Sequence, residues 1–152
     1  RTIPAELEEL GRRAVGAFGV RDGFFHFEFF RLPDGRHLAL EANLRPPGAW
    51  SVDMLNFGGA IDLYAEWANV VIRRESRLSG ERPLHCCYAG RKGTLRHRHA
   101  HEEVLSRFGR YIVHHTAVPQ LFRGAMGDYA YLFCTPELEE THAIARTILE
   151  PA

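Results

Sequence analysis

Cysteine is scarce in this chain: three residues in 152, two of them adjacent at Cys86 and Cys87. Three thiols do not build a disulfide framework, so the fold is expected to rest on a packed core, in a reducing and therefore cytoplasmic setting. Lysine is scarcer still, with Lys92 alone. An excess of one charge sign is also missing, because Lys plus Arg and Asp plus Glu both number 19. A balanced chain lacks the basic footprint of nucleic-acid binders, so no nucleic-acid partner is expected. No apolar run approaches the roughly 18 residues of a membrane span, and no secretory signal is visible, so no membrane partner is expected either. Internal repeats and low-complexity tracts are absent too. What is present is an ordinary apolar fraction, 45%. That is enough for one domain or two small lobes. The sequence begins at Arg1 rather than Met, as an excised or processed piece of a longer protein would.

The hydrophobic spacing predicts a helix over Pro4 to Phe18, with Leu7, Leu10, Ala14, Val15 and Phe18 on one side and Gly19 ending it. Phe25 to Phe30 alternates as a strand: Phe25, Phe27 and Phe29 on one face, His26, Glu28 and Phe30 on the other. Pro33-Asp34-Gly35 is a turn signal, and Asp-Gly suits a type I′ hairpin. His37 to Arg45 alternates again, with Leu38, Leu40, Ala42 and Leu44 opposite Glu41, Asn43 and Arg45. A short helix capped by Ser51 or Asp53 is expected, interrupted at Gly58-Gly59, then a longer one over Ala60 to Ile72 with Glu66 on its surface and Trp67 in the core. The charged stretch from Arg73 to Pro83 is the expected boundary between lobes. Strands are expected at Leu84 to Ala89, Arg110 to Val118 and Asp128 to Cys134. Thr135 then caps a helix running to Leu149, with Pro136 at its first position.

The hairpin carries the chemistry. Closed on a two-residue Asp34-Gly35 turn, it places Glu28 directly opposite Glu41 and His26 opposite Asn43. A four-residue loop gives the same pairs; a three-residue loop mixes the faces and is set aside. Directly opposed like charges destabilise a strand pair unless something neutralises them. A divalent cation is the simplest neutraliser. Two carboxylates and an amide oxygen are hard donors of the kind Mg²⁺ takes, together with substrate phosphates. Arg45, on the same face, offers a planar fork for phosphate or carboxylate. The plain alternative is a solvent-facing sheet with ordinary polar residues.

These residues resemble the ATP-grasp superfamily, near its carboxylate–amine ligase and biotin-carboxylase-like branches. The likeness lies in His26-Phe27-Glu28, the Asp-Gly hairpin, and Glu41-Ala42-Asn43-Leu44-Arg45-Pro46, with the run-in from Gly16. The resemblance implies an α+β fold. Residues 1–76 are then the C-terminal part of an ATP-grasp catalytic domain, an antiparallel sheet with packed helices, and residues 77–152 a small strand-rich C-terminal lobe. It also implies a reaction in which ATP phosphorylates a carboxylate and an amine attacks the acyl phosphate. Glu28, Glu41 and Asn43 would ligate Mg²⁺ or Mn²⁺, with Glu41 bridging two ions, and Arg45 would hold the γ-phosphate or the acyl phosphate. Small-molecule carboxylate and amine substrates are the implied partners, and a homodimer is compatible with the family. The family places an adenine pocket and phosphate-holding lysines before this hairpin. Only 25 residues precede His26, so the chain alone is expected to be catalytically incompetent.

Further candidates surround this centre. His26 lies beside the acids and is assigned to substrate. Gly48 and Trp50 follow Arg45 in a loop that lies by the acceptor substrate in the family; Trp50 either lines that pocket or sits in the core. Asp53 either belongs to a helix N-terminus or binds a substrate ammonium. His97, His99 and His101 alternate and would share a face on a strand, where they could bind Zn²⁺. Arg91, Lys92, Arg96 and Arg98 repel a cation there, which favours a flexible basic loop. Cys86 and Cys87 are expected to be buried. Two alternatives to a ligase stay open: a non-catalytic binding or oligomerisation module that keeps the sheet, and a Zn²⁺ module at His97 to His101.

Overall fold

The computed structural model describes residues 3–78 and 83–152. It is α+β, with two small antiparallel sheets and six helices. The chain divides into two compact units, Arg1–Val52 with Asp62–Arg77, and Asp53–Ile61 with Leu78–Ala152. The expected boundary loop falls partly on residues 79–82, which lie outside the described residues.

In the first unit α1 (Ala5–Ala17) starts after Pro4, with Glu6 and Glu8 in its first turn favouring the positive helix end. Gly19 takes φ 63° just beyond it, as a left-handed helix stop requires. The strands β1 (His26–Arg31) and β2 (His37–Asn43) form a two-stranded antiparallel sheet. Its turn differs from the expected one. Leu32 and Arg36 close the loop, through Leu32 N–H to Arg36 O at 2.8 Å and Gly35 N–H to Leu32 O at 2.9 Å. Gly35 alone in the loop has positive φ, 87°, so a type I′ turn is ruled out. Pro33 presets the first turn position and Gly35 supplies the left-handed residue of a three-residue loop. That loop alone would have put Phe27 opposite Glu41. A β-bulge between Glu28 and Phe29 corrects the offset, because Phe29 pairs with Ala39 while Glu28 pairs with Glu41. Leu40 is the extra residue, and Leu38 moves to the face of Phe30 and the two acids. On the other face Phe25, Phe27 and Phe29 form a ladder that Phe18 joins, with ring centroids 5.2–6.5 Å apart.

α3 (Leu63–Arg73) begins later than its hydrophobic pattern. Ala60 adopts φ 50°, and the Asp62 side chain accepts from Tyr64 and Ala65 N–H at 3.0 Å, fixing the start. The expected surface and core positions on this helix are exchanged. Glu66 is buried, at 5% exposure, and Trp67 is 43% exposed. The Glu66 carboxylate accepts from Arg77 N–H and Asn69 Nδ2. The Arg77 hydrogen bond is the main cause that holds its pKa below the ordinary value.

α2 (Ser51–Gly59) ends at the expected glycines, and its body belongs to the second unit. That unit is built on a sheet of β3 (His85–Arg91), β4 (Ile112–Ala117) and β5 (Tyr129–Thr135), in the order β3-β5-β4 with β5 central. The core gathers on the face of Ala89, Tyr131 and Phe133. Val104 of α4 (His101–Phe108) and Ile144 and Ile148 of α6 (Leu138–Leu149) cover it. On the reverse face Ala130, Leu132 and Cys134 are buried as well, so β5 from Ala130 to Cys134 is buried on both faces, as a strand enclosed on both sides should be. Before β5 lie a 3-10 turn (Gln120–Phe122) and α5 (Arg123–Met126). Thr135 does not cap α6. It stays in β5 opposite His85, and its hydroxyl donates to Glu137 O at 2.8 Å, so the helix starts three residues later. Cys86 and Cys87 are half-buried rather than buried, while Cys134 is buried. Among the described residues no helix is long and apolar enough to cross a membrane.

Candidate metal centre on the first hairpin

Antiparallel pairing brings Glu28 opposite Glu41 and His26 opposite Asn43 on one face. One ligand atom each from His26, Glu28 and Glu41 lies within 4.8 Å of the others. Both carboxylates are exposed and the imidazole is half-buried. Small rotamer changes would let the three close on one divalent ion.

Second contacts orient two of these groups. His26 Nδ1 lies 3.0 Å from Arg45 O. A carbonyl only accepts, so Nδ1 carries the proton and donates, leaving the Nε2 lone pair for an ion. Imidazole ligands are commonly fixed this way. Asn43 Nδ2 donates to Glu41 Oε1 at 2.6 Å. The amide therefore presents its nitrogen to the shared carboxylate and acts here as a support for Glu41. His26, assigned to substrate from the sequence, lies with the two acids, and Asn43, expected as a ligand, sits beside Glu41 with its amide nitrogen toward the carboxylate. The signal that could have shown this was the register, since His26 lies two residues from Glu28 on the same face. The donor set suits an ion that accepts nitrogen as well as oxygen, so Mn²⁺ fits it at least as well as Mg²⁺.

Arg45 is exposed, and its Nη1 donates to Pro46 O at 3.0 Å. Gly48 is also exposed; an added Cβ would meet only Arg45 Nη1, at 4.0 Å, so no tight approach demands glycine there. Ser51 N–H donates to Gly48 O at 3.2 Å across a turn in which Ala49 holds φ 52°. That conformation costs a residue with a Cβ about 1 kcal/mol. Trp50, next in this strained turn, is half-buried. Asp53 is in the first turn of α2 and belongs to the second unit.

The histidines at 97–101 do not share a face. His97 forms an isolated bridge with Pro151. His99 lies between Glu103 at 2.7 Å and Glu150 at 3.3 Å. His101 opens α4, its Nδ1 2.7 Å from Tyr131 Oη. The expected loop thus contains the start of a helix; the His99 and His101 side chains reach different neighbours, while both ring nitrogens of His97 are buried without a hydrogen-bond partner. Among the described residues, the group of His, Cys, Asp or Glu side chains close enough together to hold a metal ion is His26, Glu28 and Glu41 on the hairpin.

No family model matches this chain, and a search of curated proteins finds no significant match.

Proposed function

We propose that this chain is the metal- and phosphate-binding part of an ATP-grasp ligase, which joins a carboxylate to an amine through an acyl phosphate. The observation that supports it is the direct opposition of Glu28 and Glu41 with His26 beside them. A hairpin face that served only to meet water would be more stable with mixed charges at those positions. In this reading Glu28 and Glu41 hold Mg²⁺ or Mn²⁺, with Glu41 shared between two ions. His26 would add a nitrogen donor, and Asn43 would offer its amide oxygen to a second ion. The ions neutralise charge on the nucleotide phosphates. Arg45 leaves the Pro46 carbonyl to clamp the transferred phosphoryl group. The loop of Gly48 and Trp50 borders the acceptor substrate. Residues 77–152 correspond to the small C-terminal lobe of some branches. Turnover requires a nucleotide lobe with phosphate-holding lysines, which the family carries before this hairpin.

Mn²⁺-induced broadening of backbone amide signals, recorded with and without ADP, tests this reading. Broadening centred on residues 26–28 and 41–43, and lost in Glu41→Ala, is the expected result. Broadening centred on His97 to His101, or none at the hairpin with ADP present, overturns it. A non-catalytic binding module is the second reading. It is favoured by the exposed apolar residues flanking the acids, Phe30 at 53% and Leu38 at 55%.

A further inference from the structure

We propose that Cys86 and Cys134 are a reversible disulfide site within the second unit. The residues face each other directly across β3 and β5. Cys134 N–H donates to Tyr111 O at 2.9 Å, on the β4 side. Its backbone groups therefore point away from β3, which makes Cys86 and Cys134 a non-hydrogen-bonded pair. Such pairs bring their side chains closest, with Cα atoms about 4.5 Å apart. The two thiols lie close enough to perturb each other electrostatically. Disulfides span Cα separations of roughly 4.4–6.8 Å, a range that includes such pairs. The bond can therefore close without moving the strands, and because Cys86 is half-buried it stays within reach of a reducing thiol.

Cys87 is not an equivalent partner. Alternation turns it to the opposite face, across from Phe133, and its thiol donates to Tyr88 O at 3.6 Å. Cys86 is half-buried and Cys134 buried, so an incoming reagent meets Cys86 first. Burial, reinforced by Cys134, pushes the Cys86 thiol far above its ordinary pKa. Thiolate is scarce near neutrality, and oxidation is slow there. The plain alternative is that the two thiols only fill space and satisfy each other.

The oxidant is a small-molecule disulfide. Cys86 thiolate attacks one of its sulfurs, forming a mixed disulfide and releasing one thiol. Cys134 then loses its proton and attacks Cys86 Sγ, closing the protein disulfide and releasing the second thiol. The protein gives up two protons and two electrons, and the reagent takes them up to become two thiols.

Oxidised glutathione with the full chain provides the test, read by intact mass and by mapping of linked peptides. The expected product has lost two hydrogens, links Cys86 to Cys134 and reopens with excess reduced glutathione. Its rate of formation should rise about tenfold per pH unit between roughly pH 7 and 9, following thiolate content. The melting temperature of the second unit should rise by about 10 °C, because the closed loop is long. Cys134→Ser should stop at a glutathione adduct on Cys86, and Cys87→Ser should leave the reaction unchanged. If Cys134→Ser does not fold, Cys134→Ala serves, since it restores an apolar filler. A product linked through Cys87, or a folded chain that stays fully reduced at the highest pH, overturns the proposal.

Discussion

Replacing Glu41 by Gln separates a metal centre from a merely polar surface, because the two predict opposite orders of stability. The substitution keeps the shape of the side chain and an oxygen for the Asn43 amide, while removing one of two opposed charges. Ligand atoms of Glu28 and Glu41 lie within 4.8 Å. Two unit charges at such a distance repel by about 1 kcal/mol in water. Salt and exposure reduce that to about 0.5 kcal/mol. Without metal, Glu41→Gln should therefore leave the hairpin as stable as the parent, or more stable by up to about 0.5 kcal/mol. With Mg²⁺ or Mn²⁺ at a hundred times its dissociation constant, the parent gains about 2.7 kcal/mol by mass action. The variant has lost a charged ligand and should gain far less, so the order reverses. Hydrogen exchange at the β1 and β2 amides, measured with and without Mg²⁺, reads both halves of the cycle. The reasoning is refuted if Glu41→Gln destabilises the metal-free hairpin by more than about 1 kcal/mol, or if the parent and the variant respond equally to the cation.

Two further outcomes concern the second unit. A Cβ on Gly90 would lie 2.0 Å from Met126 O, a backbone atom that also accepts from Tyr88 Oη at 2.8 Å. Gly90→Ala should therefore cost at least about 3 kcal/mol, seen as a lower denaturant midpoint, and a neutral result would mean that α5 does not close over β3. Glu150 is held below its ordinary pKa chiefly by the Arg98 hydrogen bond, and Glu103 chiefly by the one from His99. Their folded pKa values lie below the unfolded ones. The stability they contribute is thus present above the unfolded value and lost as pH falls through the folded one. Melting temperature followed downward from about pH 5 should fall more steeply in the parent than in Glu150→Gln; parallel curves would remove this ion-pair group as a source of acid sensitivity.

The pairing of Glu28 with Glu41 was legible because strand periodicity is short-range and a turn signal stood between the two runs. The route to it was not. The loop has three residues where two were expected, and a bulge at Leu40 compensates. Two local departures cancel at the acids while shifting Leu38 to their face. His26 was recognised as part of the face but not as a donor in the acid group, since the Arg45 carbonyl that orients its ring comes from beyond the strand end. Asn43 was expected to offer oxygen and instead offers nitrogen to Glu41.

By itself the sequence determined the order and kind of most elements, the turn-forming glycines and the acid face of the hairpin. These depend on period, chirality and short polar contacts, which neighbouring residues decide among themselves. Only the tertiary structure decided that Glu66 is buried and Trp67 exposed, because the carboxylate's partner, Arg77 N–H, is supplied after the helix has ended. It also split the histidines of 97–101 among Pro151, Glu150 and Tyr131, and set Cys86 opposite Cys134. Those partners lie far along the chain, and which of them meet is set by strand register and core packing rather than by any local pattern.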